Sequence, residues 1–167
     1  MPVPKVLLSV PHQRQRGDGD CLAACAAMVL IYLGQAVEYP LILRLLNIKP
    51  YGAPAGNIRL LATPDLHVIY SKTGLAGLEA MLQQGHPVIV FVRTGELPYW
   101  TYSTDHALLV VGHDEGHFYV NDPHRTEVPI AVPRGDFELA WLERDYHYAL
   151  ITLRVASEPP TGASVQL

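Results

Sequence analysis

The chain has 167 residues and a formal charge of −4, with 49% hydrophobic and 17% charged residues, which suits one globular domain with a real core. No Lys/Arg cluster is present to neutralise phosphates, so nucleic acid is not an expected partner. No stretch approaches the ~18 unbroken apolar residues of a membrane span, so none is predicted.

The opening "MPVPKVLLSVPHQ" lacks a long apolar core and a small-residue cleavage site, so no signal peptide is predicted. Within it "VLLSV" (6–10) reads as a short strand ended by Pro11, and 12–20 as a polar loop. From Asp20 the pattern is helical. Cys21, Ala24, Cys25, Met28, Val29 and Tyr32 recur at steps of three and four, which places them on one face. Asp20 is the predicted N-cap and Gly34 the stop. Pro40 opens a second helix, "PLILRLLNI". The Pro and Gly content of 49–57 predicts a loop, with Asn57 capping a short helix, "IRLLA". "LHVIY" (66–70) alternates like a strand, 74–84 reads as a helix stopped by Gly85, and "PVIVFV" (87–92) as a buried strand. An aromatic-rich loop (93–104) follows, then "HALLVVGH" and "HFYVND" as two strands turning at Asp114–Gly116. A helix at 136–143 and a strand at 146–155 close the domain, predicted to span 1–155, and the polar tail 156–167 is expected to lack fixed structure. Helices come early and antiparallel strands late, the α+β pattern.

Two residue patterns carry chemistry. Cys21 stands at the start of the first helix, where unpaired N–H groups and the helix dipole favour a thiolate. An amide from Gln15, or from Gln13 if the loop register differs, is placed to join the Cys21 N–H in holding an oxyanion. A small hydrophobe before a core helix is the other reading of Cys21. Cys25, one turn deeper, reads as buried packing. Cysteines one turn apart suit a disulfide poorly, so both are expected as free thiols, implying a reducing compartment, the cytoplasm.

The second pattern is the hairpin. If its connection centres on Glu115, Asp122 faces Leu108 and lies diagonal to His106 on the same side, roughly 7–8 Å away. A one-residue slip turns Asp122 away and brings Asn121 round. A metal site from His106, His113, His117 and His124 is the competing use of these histidines. Two of them flank a turn, and no acidic or thiol ligand completes a pattern, so no metal and no cofactor is expected.

With these residues in hand, the sequence resembles the papain-like cysteine peptidases of the bacteriocin-processing type, the double-glycine leader peptidases and their free-standing relatives. "QRGDGDC" resembles that family's glutamine six residues before its cysteine, and "CLAACAAMVLIYLG" its central helix. "GHPVIVFV" resembles the strand before the histidine. "DHALLVVGHDEGHFYVNDP" is similar to its His hairpin, with the acid sixteen residues on, and "DFELAWLERDYHYALIT" to its last helix and strand. Leu22 stands where the family usually has glycine, at the approach to the sulfur. The resemblance implies a papain-like fold, N-terminal helices with a central Cys-bearing helix packed on a C-terminal antiparallel sheet. It also implies a peptide or protein substrate and a thioester mechanism: Cys21 as nucleophile, His106 as base, Asp122 orienting His106, and Gln15 in the oxyanion hole. Trp100 and Tyr102, with Tyr99, are candidate cleft walls, and Leu22 a substrate contact. Packing over the sheet edge is the other reading of these aromatics. A papain-fold amidase, transglutaminase-like enzyme or ligase, and a non-catalytic binding module, use the same constellation.

Overall fold

The computed structural model describes residues 4–154, and the tail at 156–167 lies outside the described residues. In chain order the elements are β1 (Val6–Leu7), α1 (Cys21–Tyr32), α2 (Tyr39–Leu45), a 3-10 segment (Ala55–Leu61), β2 (Leu66–Lys72), α3 (Leu75–Gln83), β3 (Val88–Arg93), β4 (Asp105–His113), β5 (His117–Asn121), β6 (Ile130–Pro133), α4 (Arg134–Leu142) and β7 (His147–Leu153). The strands form one sheet in the order β2-β7-β3-β4-β5-β6, with every pairing antiparallel. β1 pairs with the far end of β4, beyond the last residue that β3 reaches.

Alternation along β4 divides the core into two layers. Ala107, Leu109 and Val111 pack with α1, α2 and the 3-10 segment. Leu108 and Val110 pack with Leu78 and Leu82 of α3 and Phe137 and Trp141 of α4. This is the expected α+β architecture, N-terminal helices against an antiparallel sheet, with a second helical layer on the opposite face. Full burial of each such side chain contributes roughly 1.5–3 kcal/mol.

α1 departs from the one-sided helix that its spacing predicts. Leu22 to Leu30 are all buried, because the sheet covers one side and α2 with the 3-10 segment covers the other. Asp20 makes no side-chain cap; its carboxylate turns back to the Arg16 and Gly17 N–H groups at 3.0 and 2.6 Å, and Tyr39 donates its hydroxyl to it. Gly34 ends the helix as expected, in the left-handed region at φ 73°. α2 begins one residue before Pro40 and stops at Leu45, where Asn47 at φ 55° redirects the chain. Asn57 caps nothing; it donates to the Leu46 carbonyl at 3.0 Å, and the 3-10 segment already begins at Ala55. β6, which the sequence pattern did not signal, is an edge strand preceded by Pro129 and ending on Pro133.

The β4–β5 ladder contains the detail that matters most for function. Beside the turn, His113 pairs with Phe118 and Gly112 with Tyr119. A bulge at Val111 then shifts the pairing to Val110–Val120 and Leu109–Asn121. Carried one step further, this register sets Asp122 opposite Leu108, on the His106 side. An unbulged ladder from the same turn would set it opposite Leu109, on the other side.

Candidate active site

Three segments converge at one rim of the sheet. The first turn of α1 supplies Cys21, the first residues of β4 supply His106, and the residue after β5 supplies Asp122. Cys21 is half-buried and lines the same groove as His106, close enough for each to shift the other's ionisation. On the far side of that ring, Nε2 lies 2.7 Å from Asp122 Oδ1. With Nε2 engaged by Asp122, Nδ1 is the ring nitrogen left free on His106.

The electrostatics follow from these contacts. Burial pushes the Cys21 thiol up. The hydrogen bond and charge of His106, with the Ala107 and Leu22 N–H groups, pull it down further, so it ends below the ordinary thiol value. Burial disfavours charge on His106, yet its bonds to Asp122 and Cys21 prevail and push it up to about 9. Burial also opposes ionisation of Asp122, but His106, Tyr99 and the His124 N–H hold it at about 2. Cys25, fully buried and facing the charges of Cys21 and Asp122, is pushed well above an ordinary thiol, as expected of a packing residue.

Asp122 has 0% exposure and accepts four hydrogen bonds. Oδ1 takes His106 and the His124 N–H at 2.9 Å, and Oδ2 takes Tyr99 Oη at 2.7 Å and Trp100 Nε1 at 2.9 Å. Trp100 is thus no cleft wall. It is 9% exposed and its ring packs 4.9 Å from His106. Tyr102 is 55% exposed, rests edge-on against Trp100 and is not among the groove-lining residues. The aromatic loop packs over the His–Asp pair, the alternative that the sequence left open.

Gln15 lies in the loop before Cys21, and its side-chain amide is tied within that loop. Nε2 donates to the Gly17 and Asp18 carbonyls at 2.9 and 3.2 Å, and Oε1 is buried without a partner. The Gln15 N–H is tied to the Pro123 carbonyl at 2.9 Å, so the loop before the cysteine is stitched to the segment carrying Asp122. The four histidines of the metal alternative divide between the two ends of the hairpin. His106 and His124 flank Trp100 at this site, while His113 is buried at the turn and His117 faces Asp114. Among the described residues no cluster of three or more ligating side chains forms.

Cys21 and His106 open onto a groove of about 390 Å³. One wall is the loop Tyr51–Ala55, with Tyr51 88% exposed at its edge, and the other is the β4 rim with Thr104, Asp105 and Arg144. Leu22, 4% exposed, belongs to the core and is also among the residues lining the groove. The Tyr51–Ala55 wall and Arg144 were not singled out from the sequence. The loop character of 49–57 was visible, but nothing local pointed it at Cys21.

Comparison with known proteins gives a consistent result. The chain superposes on a protein described as a C39-like peptidase from Bacillus anthracis, with TM-score 0.73 and 21% identity over 90% of this chain and 98% of that one. It superposes on a double glycine motif protease from an AMS/PCAT transporter, solved with its leader peptide, with TM-score 0.69 and 18% identity over 92% and 98% of the two chains. The peptidase domain of Streptococcus ComA, a bi-functional ABC transporter of a quorum-sensing pathway, gives TM-score 0.65 and 18% identity over 90% and 98%. No curated protein matches the sequence. The model of the Peptidase_C39 like family matches residues 7–148, so the chain belongs to that family.

Proposed function

We propose that the protein is a cysteine peptidase that hydrolyses a peptide or isopeptide bond through a thioester on Cys21. The observation that carries this reading is that Cys21 and His106 share one groove while His106 is held from behind by Asp122. His106 takes the thiol proton at Nδ1, giving a thiolate–imidazolium pair. The thiolate attacks the substrate carbonyl and forms the C–S bond, while the carbonyl electron pair moves to oxygen. The Cys21 N–H, left without a partner in the helix, donates to that oxyanion. Gln15 is the second donor, exchanging one of its loop carbonyls for the substrate oxygen. Each such donor is typically worth ~3 kcal/mol. Collapse breaks the C–N bond, and His106 protonates the leaving amine. Water, giving its proton to His106, then attacks the thioester and releases the acid and the free thiol.

A thiol nucleophile must stay reduced, which fits the cytoplasm. No helix among the described residues is long and apolar enough to cross a membrane. The test is digestion of a peptide library by wild type beside Cys21→Ala. Cleavage should fall by on the order of 10⁴-fold or more in the variant. Equal cleavage profiles would refute the proposal. Products formed with and without an added amine separate hydrolysis from acyl transfer.

A further inference from the structure

We infer that Tyr99 and Trp100 are positioning residues for Asp122: together they hold one carboxylate oxygen so that the other faces His106. The inference rests on the cysteine-peptidase reading above. Asp122 sits just past the end of β5, where no ladder fixes it. A carboxylate torsion is soft, so a lone aspartate there would turn freely about its last bond. Here both oxygens are occupied, Oδ2 by the Tyr99 hydroxyl and the Trp100 indole, and Oδ1 by His106 and the His124 N–H. Rotation would break all four bonds at once.

Tyr99 and Trp100 are neighbours in sequence, yet both donors reach the same oxygen. The loop turns at this point, with the Trp100 N–H on the Leu97 carbonyl at 3.1 Å. Arg125, from the segment just after Asp122, holds the turn in place. Its guanidinium donates to the Tyr99 carbonyl and lies 5.2 Å from the Tyr99 ring and 6.0 Å from the Trp100 ring. The Trp100 ring also stacks on His124 at 4.7 Å, closing the His–Asp pair from that side. The charged or titratable groups facing the pair are Cys21 and Cys25 from α1, Tyr99 from this loop, and His124 and Arg125 beyond β5. Tyr99 is held above the normal phenol range by burial and by the Asp122 charge, so it remains a donor at every working pH. Neither aromatic lines the groove, so both act on the His106–Cys21 pair and not on substrate.

The experiment uses iodoacetamide, which reads the Cys21 thiolate without any substrate. Cys21 alkylation is followed against pH in wild type, Tyr99→Phe and Trp100→Phe, with the melting temperature of each. Each substitution keeps an aromatic ring and removes one donor to Oδ2. With Asp122 less firmly held, His106 keeps its charge less well, and the Cys21 thiol titrates at higher pH. The acid limb of the profile should move up by about one unit, a tenfold lower rate on that limb. A role confined to packing would lower the melting temperature and leave the limb in place. An unmoved limb in folded Tyr99→Phe therefore overturns the inference, and this near-isosteric variant decides the matter if Trp100→Phe does not fold. If wild-type Cys21 titrates as an ordinary thiol, the peptidase reading and the inference fall together. A depressed wild-type limb that survives both substitutions removes the positioning role alone.

Discussion

At the scale of single residues, the site turns on which oxygen of Asp122 meets which donor. All four partners of the carboxylate are donors, two at each oxygen. An asparagine has only one accepting oxygen, so Asp122→Asn must turn its NH₂ group toward two donors. The change therefore costs about 1–3 kcal/mol of stability, and it lowers kcat/KM by on the order of 10²-fold as His106 loses its orienting charge. Thermal melts and peptide cleavage check both effects. The pairing of His106 with Asp122 was reached by centring the hairpin on Glu115, and it holds at the site because the Val111 bulge makes up for a turn that lies in the other register. The aromatic loop was legible as a neighbour of His106 but not in its role. Whether Trp100 faces a cleft or a carboxylate depends on how the 94–104 turn folds, and no periodicity encodes that. Gln15 shows the same limit, since its spacing from Cys21 was readable and the loop carbonyls that hold its amide were not.

At the scale of elements, the groove depends on two backbones passing close together. A Cβ on Gly19 would meet the Pro50 carbonyl and the Gly52 N–H at 2.5 Å, both of them backbone atoms that cannot swing aside. Gly19→Ala must push the 49–52 turn off the loop before Cys21, which shifts the groove wall. The expected cost is about 1–3 kcal/mol, with cleavage falling at least tenfold. Gly112 makes a matched control. A Cβ there would meet the Val6 carbonyl at 2.3 Å, so Gly112→Ala displaces β1 at similar cost. It stands six residues along β4 from His106, roughly 20 Å away, so activity per folded molecule should hold. Melts and specific activities of the two variants separate the effects. The long apolar runs and the glycine stops made most helices and strands readable. β6 was not, because prolines at 129 and 133 signal a break, and an edge strand tolerates them where an inner one does not. The bulge at Val111 was equally hidden. Counting from Glu115 gave the right pairing at the site, although the turn itself is in a different register.

At the scale of the whole molecule, the buried charges set how stability varies with pH. Asp122 is held at about 2, below its unfolded value near 4, so its contribution is present above pH ~4 and is lost as pH falls toward 2. Protonating it forfeits roughly 2 kcal/mol. Asp114, also held at about 2, adds to the same acid decline. His106 is raised to about 9, so its share is present below its unfolded value near 6.5 and is lost as pH rises through about 9. The lowered Cys21 thiol works in the opposite sense, adding stability as pH rises toward the ordinary thiol value. Melting temperature should thus fall between pH 4 and 2, with a smaller acid fall in Asp122→Asn. The α+β class was legible from the order of helices and strands. The layering of helices on both sheet faces was not, because a helix pattern does not say which face it covers.

The central claim is that the Cys21 sulfur becomes covalently attached to the acyl half of the substrate. Intact-mass analysis of acid-quenched turnover on a cleaved peptide reads this directly. The expected result is a transient adduct of the acyl fragment's mass, mapped to Cys21 and absent from Cys21→Ala and His106→Ala. Cleavage at full rate with no adduct on Cys21, or with the adduct on another residue, would contradict the account.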